Sequence, residues 1–358
     1  MAEASTKPMR QQVEEYIFKL QDEIVSAFEA LDPNSPPFKR DSWLRSQGGR
    51  GQSCVFALPP STNPSSEDAI APTSTSVLEK AGVNISVVHG TLPPTAIKQM
   101  RADHTSMPLP ENPPGGLPFF AAGLSLVVHP RNPNAPTIHA NYRYFEITEP
   151  ASDDSGAGAE PKLLAWWFGG GSDLTPSYLF EEDAVHFHTV LKTACDAHGT
   201  VLFPSFKKWC DEYFFIPHRA ECRGVGGIFF DDLNEGKHLR LDDAETRPRT
   251  PADIFALLQA LGNAFLPSYI PILSRRLAMP YTPLQRRWQL VRRGRYVEFN
   301  LVVDRGTKFG LMTPGARIES ILMSLPETAR WEYMTDLGAE GTEEGKLMEV
   351  LKKPKEWV

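Results

Sequence analysis

The chain has 358 residues, of which 41% are hydrophobic and 23% are charged, an ordinary composition for a folded soluble protein. Its formal net charge of -7 argues against a general nucleic-acid binder, and no apolar run approaches the roughly 20 residues that a membrane-spanning helix needs. The length allows two domains, and it also allows a single large α+β domain.

The cysteines and the N-terminus bear on the cellular compartment of the protein. The four cysteines are far apart in the sequence and form no CxxC pair, so they predict reduced thiols and give no zinc or iron–sulfur signature. The N-terminus has no apolar signal core, and its first helix mixes acids with bases, unlike an arginine-rich transit peptide. We therefore expect a cytoplasmic protein. The cysteines are Cys54, Cys195, Cys210 and Cys222.

The first half of the chain predicts one long helix followed mainly by strands. Residues 5–31 have the apolar spacing of an amphipathic helix, which Ser5 or Thr6 would cap. The runs at 119–129 and 137–146 are separated by a short proline-rich turn and are expected to pair as a hairpin. Further strands are predicted at 53–58 and 83–88, a short helix at 95–101, and loops at 59–76, 105–118 and 150–161.

In the second half, helices predominate. The strands cluster instead of alternating strictly with helices, so we expect an antiparallel or mixed sheet in an α+β fold. We find no internal repeat. The predicted strands are 163–168, 226–232, 295–304 and one near 331–333, and the predicted helices are 179–197, 203–216, 251–276 (interrupted at Pro267 and Pro271), 283–293, 317–325 and a basic C-terminal helix.

The strand at 137–146 is the most unusual element. Because successive side chains of a strand point to opposite faces, one face carries His139, Asn141 and Arg143, and the other face is apolar and aromatic. One interpretation is an exposed strand with a polar outer face. The other is a strand that faces a ligand, with arginine for a carboxylate, asparagine for orientation and histidine for proton transfer.

Other polar clusters permit both structural and functional interpretations. The run Gly169 to Asp173 predicts either a tight turn or a close approach of backbone to a flat ligand, with Asp173 facing a polar N–H. Asp231-Asp232 ends a predicted strand, where the pair predicts either a divalent-ion site or a turn or cap. Asp304-Arg305 ends another predicted strand, where a turn with a local ion pair is the common role. For the arginines Arg292, Arg293 and Arg295 we favour a solvated basic face or a subunit contact over an anion site.

The histidines do not form a recognisable metal motif. His186 and His188 are two residues apart on a predicted helix, so they do not share a face, and the chain has no HExxH. The residues alone therefore indicate an α+β protein with a cleft lined by arginine, aspartate and histidine for a polycarboxylate ligand. Such a cleft suits an enzyme or a binding protein.

Five strings closely resemble the oxygen-dependent coproporphyrinogen III oxidase family. The resemblance runs from about residue 10 to the C-terminus, and the strings occur in the family's order. They are FFAAGLSLVVHPRNP (119–133), HANYRYF (139–145), WWFGGGSDLTP (166–176), GGIFFDDL (226–233) and RRGRYVEFNL (292–301).

The resemblance implies a fold and a reaction. The fold would be one domain over residues 1–358, with the N-terminal helix at 5–31, a catalytic core from about residue 40, and a large, flat, mainly antiparallel sheet flanked by helices on both faces. The protein would be a homodimer whose interface includes about residues 296–332. The reaction would convert two propionates of coproporphyrinogen III to vinyl groups, giving protoporphyrinogen IX and carbon dioxide. Dioxygen would be the oxidant and no cofactor would be required, although bacterial members are often described with a divalent ion.

The resemblance also implies roles for individual residues. His139 would be the proton donor, and Asp173, Asp304 and Arg305 would take part in catalysis. One departure is Pro314-Gly315-Ala316-Arg317, where the family pattern more often reads Gly-Gly-Arg. The implied substrate contacts are Ser125, Asn141, Tyr142, Arg143, Gly315, Ala316 and Arg317, and the positions that would hold a metal, if one is present, are His129, His139, His188 and His218.

The chemistry of the residues agrees with such a substrate. Its four carboxylates favour forked guanidinium donors, and its pyrrole N–H groups need an acceptor such as Asp173 or Asp304. A carboxylate there would also assist pyrrole deprotonation, which would make the ring more reactive towards oxygen. Two rival interpretations are a non-catalytic tetrapyrrole carrier and a metal-dependent oxygenase.

Overall fold

The computed structural model describes residues 7–57, 76–103, 109–111, 113, 115–150, 161–312 and 316–358. The predicted loops at 59–76 and 150–161 lie almost entirely outside these ranges, and residues 105–108, 112 and 114 of the predicted loop at 105–118 also lie outside them. So do the predicted helix caps Ser5 and Thr6, and Gly315 of the predicted substrate loop.

Seven antiparallel strands form the central sheet, in the order β1-β2-β3-β4-β5-β6-β9. The predicted hairpin is confirmed as β4 and β5, which pair in register from Phe119↔Ile147 to Val128↔Ile138. The α+β class predicted from the clustered strands is likewise confirmed. The sheet strands are β1 (Lys39–Leu44), β2 (Gly49–Ala57), β3 (Leu78–Leu92), β4 (Leu117–Pro130), β5 (Thr137–Thr148), β6 (Leu163–Thr175) and β9 (Gly227–Leu233), and a small separate hairpin is formed by β7 (Phe215–Ile216) and β8 (Glu221–Cys222).

The two faces of the sheet differ in chemistry because β5 alternates as predicted. Ile138, Ala140 and Tyr142 are fully buried on one face, while His139, Asn141 and Arg143 are only half-buried on the other. The apolar face carries the main hydrophobic core. The helices are α1 (Met9–Leu31), α2 (Pro94–Asp103), α3 (Glu181–Asp196), α4 (Leu202–Tyr213), α5 (Pro251–Asn263), α6 (Phe265–Arg276), α7 (Pro283–Glu298), α8 (Arg305–Met312), α9 (Ile318–Leu322) and α10 (Glu343–Lys352).

Helix α1 covers the apolar face as its sequence pattern predicts. Val13, Ile17, Leu20, Ile24 and Phe28 are all buried, and the helix contacts β3, β4 and α5. Such a stripe of apolar side chains at helical spacing stabilises the helix mainly through burial against the sheet.

A second helical layer lies against part of the polar face. Ser320 in α9 lies 2.9 Å from Ser53 of β2 between the two hydroxyl oxygens. The backbone of Gly82 in β3 lies against Met323, since an added Cβ would come within 2.6 Å of its sulfur. Helices thus lie on both faces of the sheet.

The predicted strand at 295–304 is wrong. Helix α7 continues to Glu298 and is followed by a π-helix, Phe299–Val303. A capping box between Thr282 and Gln285 begins α7, and buried arginine–glutamate pairs hold its last two turns. These contacts override the β-preference of the tyrosine, valine and phenylalanine in this stretch. The predicted strand near 331–333 is also wrong, since this stretch is irregular.

Arg292 and Arg293 do not form a solvated basic face. Each is 4% exposed, and each pairs with a buried glutamate, at 2.6 Å from Glu221 and 2.6 Å from Glu79 respectively. The favoured interpretation of this cluster was wrong because both guanidiniums tie α7 to strands inside the protein.

One segment of the described chain, Pro251–Arg276, has the length and apolar composition of a membrane span, although no such run was predicted from the sequence. In the structure it is the pair α5–α6, and 56% of the apolar window is buried. A core helix satisfies the same criteria, so this finding is weak evidence for a span.

Candidate active site

Three neighbouring strands bring the predicted polar residues together. Asn141 of β5 lies opposite Ser125 of β4 and Gly171 of β6. Two residues before Asn141, on the same face, His139 lies opposite Asp173. Directly paired residues of antiparallel strands share a face, so these side chains line one polar surface at the centre of the sheet.

Glycines make room for the side chain of Arg143 on this polar surface. Arg143 is paired with Gly123 on one side and Gly169 on the other. A Cβ at Gly169 would lie 2.5 Å from the Oδ1 of Asp231 and 2.8 Å from the Nε of Arg143. The predicted tight turn at 169–173 is therefore wrong, because these residues continue β6. The other interpretation of these glycines, a close approach of the backbone to a flat ligand, stays a prediction.

A chain of three charged or polar groups lies at one end of the surface. The Nδ1 of His139 lies 2.7 Å from the Oδ1 of Asp173. The Nη2 of Arg223 donates to both carboxylate oxygens of Asp173, at 3.0 and 2.8 Å. Asp173 and Arg223 are each 2% exposed, whereas the side chain of His139 is 21% exposed. The histidine is therefore the member of the chain that a ligand reaches.

The electrostatics fix the direction of these hydrogen bonds. Burial raises the pKa of Asp173, but the charge of Arg223 and the hydrogen bond from His139 outweigh it, so the pKa lies below its ordinary value. An ionised carboxylate only accepts hydrogen bonds, so Nδ1–H of His139 is the donor. The second ring nitrogen, Nε2, is then the one that remains to contact a ligand.

Arg143 lies at the other end of the same row. Its Nη1 donates to the Oδ1 of Asn141 at 2.9 Å, and its Nη2 pairs with the Oδ2 of Asp231 at 2.7 Å. Burial lowers the pKa of Arg143, but Asp231 more than offsets this, so the guanidinium is firmly charged. Its side chain remains 34% exposed and is therefore available to an incoming carboxylate.

Asp304 lies where the π-helix ends and α8 begins. Its Oδ1 accepts from the hydroxyl of Tyr213 at 2.7 Å, and its Oδ2 accepts from both the backbone N–H and the hydroxyl of Thr307, each at 2.7 Å. Burial raises the pKa of Asp304, but these hydrogen bonds lower it below its ordinary value. Arg305 beside it is exposed. Tyr213 in turn stacks on Phe229 of β9 at 4.0 Å between ring centroids.

Two predicted substrate residues are positioned differently from the rest. Tyr142 lies on the opposite face, fully buried, and its hydroxyl donates to the carbonyl of Leu261 at 3.0 Å, so its side chain does not reach the polar surface. Arg317 pairs with Asp41 and lies over Trp43 at 4.5 Å, against the edge strand β1. Ala316 precedes it and is half-buried.

Sequence reasoning missed three groups of this site. Arg223 was not predicted as a site residue, and Asp231 was not predicted to contact Arg143. Tyr213 was not singled out. A usable signal for Arg223 was the need to balance Asp173, since a buried carboxylate in a strand requires a partner.

The histidines of the predicted metal set lie in separate surroundings. His129 is 1% exposed, with its Nε2 at 2.9 Å from the carbonyl of Ser324. His188 is buried inside α3, and His218 is exposed and bonded to Glu298 at 2.9 Å. Over the described ranges, no three of the His, Cys, Asp and Glu side chains are grouped to hold a metal ion. That no metal is required stays a prediction.

Two small, partly open pockets lie elsewhere in the described part of the chain. One is lined by residues including Leu174, Tyr178 and Asp183, and the other by residues including Phe28 and Phe56. Each holds about 10 Å³, room for a water molecule, so neither competes with the polar surface as a ligand site.

Comparison with known proteins agrees with this geometry. The family model for coproporphyrinogen III oxidase matches residues 12–357. The chain belongs to the coproporphyrinogen III oxidase family. It is 49% identical to an oxygen-dependent coproporphyrinogen-III oxidase of Drosophila melanogaster, over 98% of this chain and 78% of the fly protein. It is 48% identical to the mitochondrial enzyme of Homo sapiens, over 98% and 67% respectively, and 48% identical to the chloroplastic enzyme of Glycine max, over 100% and 81%.

The names of these relatives correct one prediction. The human enzyme is named mitochondrial and the Glycine max and Arabidopsis thaliana enzymes are named chloroplastic, so the predicted cytoplasmic location is wrong. The prediction rested on the separated cysteines, on the lack of an apolar signal core and on the mixed charges of the first helix. That helix belongs to the folded domain and packs against the sheet, so its charges report on folding and not on targeting.

The buried His188 predicts an acid sensitivity of the fold. Burial lowers its pKa to about 3, whereas an unfolded histidine titrates near 6.5, so the unfolded state takes up this proton first as the pH falls below 6.5. Between pH 7 and 5 this costs about 2 kcal/mol of stability. Between pH 7 and 5, the free energy of unfolding of the His188→Gln variant should fall by about 2 kcal/mol less than that of the parent.

Urea unfolding at a series of pH values measures this difference. Between pH 7.5 and 8.5 both proteins should change in parallel, because the histidine is neutral in both states there. Identical losses between pH 7 and 5 in parent and variant would contradict the assignment.

Proposed function

We propose that this polar surface binds coproporphyrinogen III and that the chain catalyses the oxidative decarboxylation of two of its propionates in heme biosynthesis. The products are protoporphyrinogen IX, carbon dioxide and reduced oxygen. The observation that carries the proposal is the row on β5, where a charged, accessible Arg143 and an accessible His139 share one flat face at the centre of the sheet. Membership of the family supports the same reaction.

Arg143 is the proposed carboxylate anchor. Its guanidinium has a planar fork of donors that matches a carboxylate, and Asn141 holds one arm of that fork in place. Asp231 occupies another arm and balances the charge of Arg143. A substrate propionate would share the guanidinium with Asp231 or take its place.

His139 is the proposed proton-transfer group. With oxygen reduced by two electrons, a propionate carboxylate, one dioxygen and one proton balance one vinyl group, one carbon dioxide and one hydrogen peroxide. The reaction thus consumes a proton. Asp173 holds Nδ1 of His139, whose side chain is 21% exposed, so Nε2 is the ring nitrogen that remains for the substrate. Asp173 itself is 2% exposed and bonded to His139. We therefore propose that it orients the histidine and does not contact a pyrrole N–H.

Asp304 remains the proposed acid near the ring nitrogens, and Arg305 and Ser125 remain proposed contacts. Asp304 accepts hydrogen bonds from Tyr213 and Thr307, and the ring of Tyr213 stacks on Phe229. A carboxylate kept ionised by hydrogen bonds suits the N–H groups of a pyrrole. We further propose that the electron-rich reduced macrocycle gives its electrons to dioxygen directly, without a metal or organic cofactor.

A homodimer is proposed from the surface that follows α7. Leu301 and Val302 of the π-helix are 41% and 56% exposed, and Trp331 and Tyr333 are 54% and 98% exposed. These residues fall within or beside the predicted interface at 296–332. Exposed apolar side chains clustered in one part of a chain are typical of a surface that a second copy covers.

The decisive test of the reaction is product analysis. Coproporphyrinogen III is incubated with the protein, with and without oxygen, before and after treatment with a chelator. We expect protoporphyrinogen IX and two carbon dioxide molecules per substrate only with oxygen, and the same yield after chelation. Binding without turnover in oxygen would indicate a carrier, and loss of turnover on chelation would indicate a metal-dependent oxygenase.

Arg143→Ala tests the carboxylate anchor. A charge-assisted hydrogen bond contributes about 1.5–3 kcal/mol, so we expect KM to rise about 10- to 100-fold with a smaller change in kcat. Arg240→Ala is a matched control, because its side chain is 33% exposed, pairs with Glu212 at 2.6 Å and lies over a tryptophan. Steady-state kinetics measure both variants. An unchanged KM in Arg143→Ala would refute the contact.

Val302→Glu tests the homodimer. A buried unpaired charge disfavours association, so we expect the parent to sediment at twice the chain mass of 39.9 kDa and the variant at that mass. Leu239→Glu is the control, since Leu239 is 90% exposed outside the proposed interface and should leave the dimer intact. A monomeric parent at micromolar concentration would rule the proposal out.

A further inference from the structure

We propose that Arg223 is a positioning residue of the reaction, which holds the carboxylate of Asp173 so that His139 keeps Nε2 turned towards the substrate. This inference rests on the proposed function for its kinetic consequence only. Its structural part, the orientation and tautomer of His139, is independent of the reaction.

Arg223 is held more firmly than a surface arginine. Its guanidinium carbon lies 4.1 Å from the ring centroid of Phe214, 4.5 Å from that of Tyr296 and 4.8 Å from that of Phe299. A planar guanidinium stacks on aromatic rings, and three rings around one guanidinium leave it little freedom to rotate. The direction in which its Nη2 donates is thereby fixed.

That fixed donor determines the orientation of Asp173. The Nη2 of Arg223 reaches both carboxylate oxygens, and the Oδ1 that it shares also accepts Nδ1–H of His139. The ring of His139 is further supported by Phe214, whose centroid lies 5.8 Å away in an edge-to-face arrangement. Phe214 therefore contacts both ends of the chain. A rotation of the carboxylate would break the bond that selects the tautomer of His139.

Other buried arginine–carboxylate pairs lack this link. Arg292 pairs with Glu221 at 2.6 Å and Arg293 pairs with Glu79 at 2.6 Å, and both pairs join α7 to strands. The described partners of Glu79 are Arg286, Arg293 and Thr328, none of which lies on the polar surface. The described hydrogen bonds of Arg292 go to Glu221 and Met348, and neither residue belongs to the polar surface. Arg292 is therefore a control: it is also buried and also paired with a carboxylate, but no described hydrogen bond connects it to His139.

Three variants separate positioning from structural support. Arg223→Gln removes the charge and the fork, Arg223→Lys keeps the charge but loses the stacked plane, and Arg292→Gln removes a comparable structural pair. For each we measure kcat and KM with coproporphyrinogen III, the thermal midpoint, and the ring-nitrogen NMR spectrum of ¹⁵N-histidine protein at a fixed pH above neutrality. The His139→Asn difference spectrum assigns the signals of His139.

We expect Arg223→Gln to lower kcat at least 10-fold with KM changed less than about threefold, because proton transfer by a positioned group contributes about 10²–10⁴ in rate. Its His139 signals should change from one Nδ1–H tautomer to a mixture. The thermal midpoint of Arg223→Lys should lie close to that of the parent. Its His139 signals should still differ from those of the parent, because lysine lacks the stacked guanidinium plane. Arg292→Gln should lower the thermal midpoint without altering kcat or the His139 signals.

A pure Nδ1–H tautomer in Arg223→Gln, together with a kcat loss no larger than that of Arg292→Gln, would overturn the proposal. If Arg223→Gln does not fold, the spectrum of Arg223→Lys decides in the same way. If the parent does not decarboxylate the substrate, the proposed function fails, and the spectra still show whether Arg223 fixes His139.

Discussion

A carboxylate inside the sheet, at Asp173, imposes the strongest constraint on this structure. Burying an ion costs several kcal/mol unless a partner and hydrogen bonds compensate it. Arg223 provides that partner, and three aromatic rings enclose it in turn. The helical layer that supplies two of these rings, from Tyr296 and Phe299, is thereby tied to the chemistry of the sheet. A π-helix beginning at Phe299 suits this arrangement, because such segments commonly occur at functional sites.

The same sheet carries the core and the site because of the two-residue repeat of β5. One set of side chains packs against α1 and the helices around it, while the alternate set faces the proposed ligand. A shift of one residue in the register would exchange the two sets, so the site and the core stabilise the same pairing. The glycine at position 169, opposite Arg143, is also required by the site, because any larger residue there would collide with the Arg143–Asp231 pair.

The sequence predicted the elements that depend on local pattern, and it failed where contacts between remote residues decide the structure. The alternation of β5 and the hairpin with β4 depend on local pattern and were confirmed. A turn was one of two interpretations of Gly169 to Asp173, because glycine weakens strands, but these residues continue β6 and the neighbouring side chains require the small size of Gly169. The strand predicted at 295–304 failed since distant glutamates and a capping box hold that stretch in a helix. Arg223 and Asp231 were missed for the same reason: their roles appear only when remote strands meet.

The most direct measurement of the central claim is a structure of the protein with coproporphyrin III, the oxidised macrocycle that cannot turn over. The account predicts that the ring lies over Asn141 and Gly171, with one carboxylate about 3 Å from the Arg143 guanidinium and His139 Nε2 facing the ring. A macrocycle bound at another surface, with Arg143 still paired only with Asn141 and Asp231, would contradict it.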